Sequence, residues 1–243
     1  RALIIYLVIS AVFIGCTPIL SVDASTQSVY HFSDTDKNIS LLDISETFGT
    51  YDGSFVLYDN NLDSWKIYDL EEATKRIPPE STYKIYDALL GLESGIITPE
   101  HSSMTWNGDA FPFPSWEADQ DLNSAMQNSV NWYFQAIDSQ LGINRVQEFL
   151  NKIEYGNQTT SSNLDLYWSD FSLKISPLEQ VTLLKKFNTN EFHLNSQNVF
   201  SVKNAIKIAS TPNGNFYGKT GTGRINGQDI NGWLIGFVEN TDN

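Results

Sequence analysis

Residues 78–92 read PPESTYKIYDALLGL and set Ser81 three positions ahead of Lys84 at the mouth of a helix-like run. Pro78 and Pro79 stop any preceding strand and introduce a helix start. From Ser81 to about Gly91 the apolar spacing is helical and dense, which predicts a helix buried at the centre of the domain. Alone, S-x-x-K says little, because a capping serine followed by a surface lysine is commonplace. The neighbours of Lys84 change that: Tyr83, Ile85, Tyr86 and Leu89 leave an ammonium poorly solvated. Burial disfavours the charged form, so the expected species is an amine able to act as base for the adjacent hydroxyl. Ser81 at the helix start also puts its own backbone N–H among the unpaired donors of the first turn, where an oxyanion can be held.

Two further motifs extend this outline. Ser129-Val130-Asn131 lies on a predicted helical stretch 48 residues after Ser81, and Lys219-Thr220-Gly221-Thr222-Gly223 on a predicted strand 90 residues after Ser129. Ser129 can relay a proton towards a leaving nitrogen. Lys219 offers a fixed positive charge to a ligand carboxylate, with the Thr220 and Thr222 hydroxyls as added donors. Gly221 permits close backbone approach, and the Thr222 N–H can complete an oxyanion hole with that of Ser81. A glycine-kinked edge strand would explain K-T-G-T-G by itself. S-x-x-K, S-x-N and K-T-G in this order match the motif set of penicillin-recognising serine enzymes.

Around these motifs the chain reads as strands, then helices, then strands, an α+β pattern with a sheet completed by the C-terminal strands. GSFVLYD (53–59) and SWKIYDL (64–70) alternate across a turn-rich NNLD, a hairpin signal. SPLEQVTLLKKF opens a helix with Ser176 as cap, Pro177 at the first position and Glu179 at the third. GNFYGKTGTGRI and NGWLIGFVEN read as strands joined by NGQDIN, and a further strand and helix beyond Asn243 are expected to close the sheet.

The composition is acidic, with 15 Lys plus Arg against 29 Asp plus Glu and a net charge of −14. That excludes the basic stripe of a nucleic-acid groove and charge-driven docking on anionic lipid. One cysteine, Cys16, precludes an internal disulfide, and His31, His101 and His193 are scattered without ligand spacing, so no metal site is expected. Residues 1–22 hold one charge, Arg1, and an apolar run of bilayer-spanning length. Two readings stay open for it: the last membrane helix of a receptor, or an export signal whose FIGC resembles a lipoprotein box at Cys16. Either sends the rest of the chain, a linker at 23–48 and a domain at 49–243 cut short at its C-terminus, outside the cell membrane.

STYK, Tyr155-Gly156-Asn157, Tyr167-Trp168, SLKISPLEQV and YGKTGTG together resemble the class D serine β-lactamase family. STYKIYDALLGLESGIITPEH, DLNSAMQNSVNWYF and NGWLIGFV are similar to the extracellular sensor domains of BlaR/MecR-type receptors, over roughly residues 50–240. The resemblance implies a penicillin-binding-protein-like sandwich, an antiparallel sheet flanked by a helical subdomain, with β-lactam antibiotics as ligands. It implies no bound cofactor beyond CO2, which would carboxylate Lys84, with Trp168 in the position of the family's carbamate-binding tryptophan. It also implies membrane and zinc-protease parts N-terminal to Arg1 in a longer receptor. A sensor and a hydrolase share acylation of Ser81 and part at deacylation. Class D hydrolases usually end the middle motif in an apolar residue that keeps the carbamate dry, whereas this chain has Asn131, whose amide can bond a free lysine amine and favour loss of CO2. The expectation is a sensor with a long-lived acyl-serine; a class D β-lactamase is the main alternative. A transpeptidase and a degenerate interaction module fit the motifs less well.

Overall fold

Seven strands in one sheet organise the chain, which a computed structural model describes over residues 4–12 and 38–240. They are β1 (Ile4–Val12), β2 (Ile39–Leu41), β3 (Asp52–Asp59), β4 (Ser64–Tyr68), β5 (Lys207–Thr211), β6 (Gly214–Ile225) and β7 (Gln228–Asn240). Their order across the sheet is β2-β4-β3-β1-β7-β6-β5. The predicted hairpin at 53–70 forms as β3 and β4, paired Phe55 with Tyr68 through Asp59 with Ser64. β6 and β7 form a long hairpin with a tighter turn than NGQDIN suggested: Asn226 and Gly227 both take positive φ (50° and 81°), the two-residue Asn-Gly turn that matches strand twist. The sheet is mixed rather than wholly antiparallel, because β2 runs parallel to β4 at one edge.

Two expectations about the N-terminal region are corrected. Residues 39–48, assigned to a linker, join the fold as β2 and the short helix α1 (Ser45–Phe48), whose Phe48 ring stacks on Tyr68 at 4.7 Å. Within the apolar run 1–22, read as a membrane helix or export signal, Ile4–Val12 is an extended strand paired antiparallel with both β3 and β7. An uninterrupted apolar run suits a strand buried on both faces as well as a lipid-facing helix, and periodicity does not separate the two. Val8, opposite Val56 and Ile235, is fully buried there. β7 is thus flanked by β1 on one side and β6 on the other. Among the described residues no helix is long and apolar enough to cross a membrane, and Cys16, with the linker up to residue 37, lies outside them.

The remaining helices are α2 (Leu70–Thr74), α3 (Lys84–Glu93), α4 (Leu122–Gln127), α5 (Asn131–Leu141), α6 (Ile143–Ile153), α7 (Pro177–Asn188) and α8 (Ser196–Ala205). α7 begins as predicted: Ser176 and Glu179 form a reciprocal capping box with Pro177 in the first turn. It lies across β1, β3 and β7, while α3 packs between α8 and the α4–α5 pair. Every residue of α3 from Lys84 to Leu92 is buried, so this helix is the predicted centre of the domain. Each fully buried apolar side chain such as Ile85 or Leu89 contributes about 1.5–3 kcal/mol, which offsets the cost of the polar groups enclosed with them.

Tyr155-Gly156-Asn157 acts as a backbone clamp on the segment leading into α7. Asn157 Oδ1 accepts from the Lys174 N–H at 2.9 Å, its Nδ2 donates to the Ser172 carbonyl at 2.7 Å, and its own N–H bonds the Lys174 carbonyl at 2.9 Å. Gly156 sits at φ 50°, and a Cβ there would lie 1.9 Å from that carbonyl oxygen. Gly156→Ala is therefore expected to cost about 2 kcal/mol or more, read as a lowered urea midpoint with an unchanged slope.

Candidate active site

The nucleophile turn is held from four directions. Ser81 lies not on the α-helix itself but on a 3-10 turn, Glu80–Tyr83, that leads into α3. Above it, the Trp233 indole N–H donates to the Pro78 carbonyl at 2.8 Å. The Glu80 N–H donates to the Trp168 carbonyl at 3.1 Å, and Thr82 Oγ1 donates to the Pro79 carbonyl at 2.6 Å while accepting from Gln180 of α7 at 2.8 Å. From β6, Gly221 closes the arrangement: a Cβ on it would stand 3.1 Å from the Pro79 carbonyl oxygen and 3.2 Å from the Ser81 nitrogen. A side chain there would make tighter than usual contacts with the nucleophile turn, so glycine suits the close approach of β6 to Ser81.

Lys84, at the first position of α3, is fully buried. Its Nζ donates to Ser81 Oγ at 2.7 Å and to Asn131 Oδ1 at 2.7 Å, and lies 5.6 Å from the Trp168 ring centre and 5.7 Å from that of Phe134. Burial holds its pKa well below the ordinary lysine value; the nearby charge of Lys219 pushes the same way, while Asp87 and Glu80 oppose. The desolvated amine inferred from the sequence is therefore in contact with the hydroxyl it was expected to activate. Asn131 heads α5 with its side-chain carbonyl on the lysine.

Ser129 was expected on a helix and instead occupies the loop between α4 and α5, at φ 57°. A left-handed serine costs of order 1–3 kcal/mol, and here it aims Oγ at Lys219, whose Nζ donates to it at 2.9 Å. Lys219 also donates to the Thr220 carbonyl at 2.9 Å. Its burial lowers its pKa to about 8. Lys219 and Gly221 are buried on β6, while Thr220 and Thr222 alternate with them and are exposed. A cleft of about 300 Å3 opens beside Lys219 and Thr220, lined also by Met126, Gln127, Ile206 and Ile208; Ser81 lies outside that lining. Ser81, Lys84 and Asn131 thus meet directly, Ser129 and Lys219 form a second bonded pair, and Trp168 backs the lysine.

Glu80 escaped the sequence reading. It stands at φ 52°, is buried, and has its pKa raised to about 8 by that burial, with Lys84 and Asn231 opposing. Its side chain reaches under Gly223, where an added Cβ would meet Asn231 Oδ1 at 1.8 Å and Glu80 Oε1 at 2.6 Å. A position beside S-x-x-K gave no signal of this, because the strand that covers it comes from more than 140 residues away.

Residues 46–243 match the family described as penicillin binding protein transpeptidase domain. The chain belongs to that family. Within it, the chain resembles the regulatory protein BlaR1 of Bacillus licheniformis, 44% identical over all of this chain and 40% of the relative's length. It is 36% identical to the methicillin resistance mecR1 protein of Staphylococcus aureus, again over all of this chain and 41% of the relative. The chain thus spans about two fifths of these curated relatives. A solved structure, the C-terminal domain of the Bacillus licheniformis BlaR penicillin-receptor, superposes with a TM-score of 0.76 at 40% identity, over 85% of this chain and 89% of that one. Class D β-lactamase structures match as well. The chain is of the BlaR/MecR receptor type with a class D-like fold, as its motifs implied.

Lys219 is a cation below about pH 8 and loses its charge as pH rises through that value. Capture of a carboxylate-bearing ligand is accordingly expected to weaken above pH 8. Lys219→Arg, which stays charged, should flatten that loss when association rates are compared at pH 7 and 9.5.

Proposed function

We propose that the chain is the β-lactam-sensing domain of a receptor: Ser81 opens the lactam ring and keeps the resulting acyl group, and the persistent adduct is the signal. The observation that supports this most is the 2.7 Å bond from Lys84 to Asn131 beside the 2.7 Å bond to Ser81. Lys84, as the neutral amine favoured by burial, takes the Ser81 proton while Oγ attacks the lactam carbonyl. The Ser81 and Thr222 N–H groups receive the developing oxyanion. Lys219 attracts the ligand carboxylate, and Ser129, bonded to it, passes a proton to the departing ring nitrogen. Deacylation needs a second deprotonation, of water, and Lys84, which has taken the Ser81 proton and donates to the Asn131 oxygen, is then a poor base for it.

The buried amine, with Trp168 and Phe134 rings at under 6 Å, suits carboxylation by CO2. Carboxylation would supply an anionic oxygen base beside Ser81, with Trp168 as the side chain backing it. Asn131 competes for the same nitrogen, which is why we assign this chain to sensing and not to hydrolysis. In the same reading the domain faces outside the cell membrane, and a longer receptor carries the membrane and zinc-protease parts that convert acylation into an inducing signal for antibiotic resistance.

Two substitutions test the assignment. Ser81→Ala should abolish covalent labelling by a fluorescent penicillin. Asn131→Val should leave labelling intact but shorten the life of the label by about tenfold or more in bicarbonate, the size expected when a general base is restored. Label that persists equally in Asn131→Val would contradict the role given to the amide.

A further inference from the structure

Behind Lys84 two carboxylates are enclosed that no step above uses. Asp87 lies one turn further along α3, and Asp138 lies on α5, the helix packed against it; both are fully buried. Neither oxygen of Asp87 meets a hydrogen-bond partner among the described residues. Of Asp138, Oδ1 alone does, 3.4 Å from the Tyr167 hydroxyl. Two ionised carboxylates do not coexist in so dry a space. Burial first, and then the charge of Asp138, pushes Asp87 up, with Lys84 opposing; burial pushes Asp138 up, with Asp165 adding and the Tyr167 hydrogen bond opposing. The hydroxyls facing the pair, Tyr83, Tyr133 and Tyr167, are themselves pushed up by burial and then by neighbouring charges that include these carboxylates, so they stay neutral at ordinary pH. That leaves Lys84 as the cation on which Asp87 acts, with Asp138 acting on Asp87, while Glu80 and Lys219 bear on the same lysine with opposite signs.

We propose that Asp87 and Asp138 are positioning residues for Lys84: a buried carboxyl pair that carries one proton in all and so sets a single negative charge near the lysine. The inference rests on Lys84 being the base for Ser81. The pair's charge helps Lys84 keep its proton, so the neutral amine emerges at a higher pH than it would without the pair. It also opposes carboxylation. Bonding the neutral amine nitrogen to CO2 forms one N–C bond and releases one N–H proton. The anionic product shares the space with the pair's charge unless the pair accepts that proton and becomes neutral. In this way the pair works with Asn131 to keep the lysine free.

The test compares the acylation rate of the wild-type chain, the single variants Asp87→Asn and Asp138→Asn, in which the remaining carboxyl can carry the charge, and the double variant Asp87→Asn/Asp138→Asn, with a fluorescent penicillin between pH 5 and 9. Removing both carboxyls removes the negative charge and should move the rising limb to lower pH by about one unit. A limb that stays in place in the folded double variant overturns the proposal. Should that variant not fold, a carboxyl-carbon NMR titration of the wild-type chain labelled with 13C-aspartate decides it. One proton shared by the two buried carboxyls at neutral pH supports the pair, and two protons or none overturns it. A wild type that is not acylated at any pH would instead contradict the proposed function, and the NMR titration would still decide the pair.

Discussion

A lysine taken wholly out of water and bonded to a serine is the constraint on which this structure turns. An ammonium is costly to bury, so the site works only if the surroundings make the neutral amine acceptable and place a hydroxyl within its reach. The rest of the domain supplies those surroundings. α3 is buried along its length, which fixes Lys84 deep in the core; the 3-10 turn before it carries Ser81 out to the edge of β6. α7, β7 and the Trp168 segment each hold that turn by a hydrogen bond. Acylation chemistry and packing are therefore one arrangement, and loosening the packing around α3 would alter the base as well as the stability.

The same constraint explains where backbone strain is kept. Glu80 and Ser129 both adopt left-handed φ although neither is glycine, and both neighbour the reacting groups. At Glu80 the unusual φ precedes the nucleophile turn, and at Ser129 it aims a hydroxyl at Lys219. Strain of this kind persists only where surrounding contacts over-determine it, here the Glu80 N–H bond to Trp168 and the burial of Val130 just after Ser129.

The sequence made visible what depends on local pattern. The buried helix after Pro79, the hairpin at 53–68, the capping box of α7 and the K-T-G strand could all be read from spacing, and the three motifs named the residues that meet in space. What stayed hidden depends on contacts made across the chain. The left-handed turn at Ser129 looked helical because its flanks are α4 and α5. Glu80 gave no signal in the sequence because the glycines that cover it lie on β6. Asp87 and Asp138 drew no reading from the sequence, because only the packing of α3 on α5 encloses them together. The strand Ile4–Val12 within the N-terminal apolar run stayed hidden for a different reason: such a pattern satisfies a buried strand and a lipid-facing helix equally.

The central claim is that this site acylates and then stops, because Asn131 holds the lysine that a hydrolase would use again. It is tested most directly by intact-mass measurement over hours, with the chain mixed one to one with benzylpenicillin in bicarbonate buffer. The account predicts a single adduct on Ser81 that outlasts the experiment. An adduct that decays while penicilloate accumulates over many turnovers would contradict it.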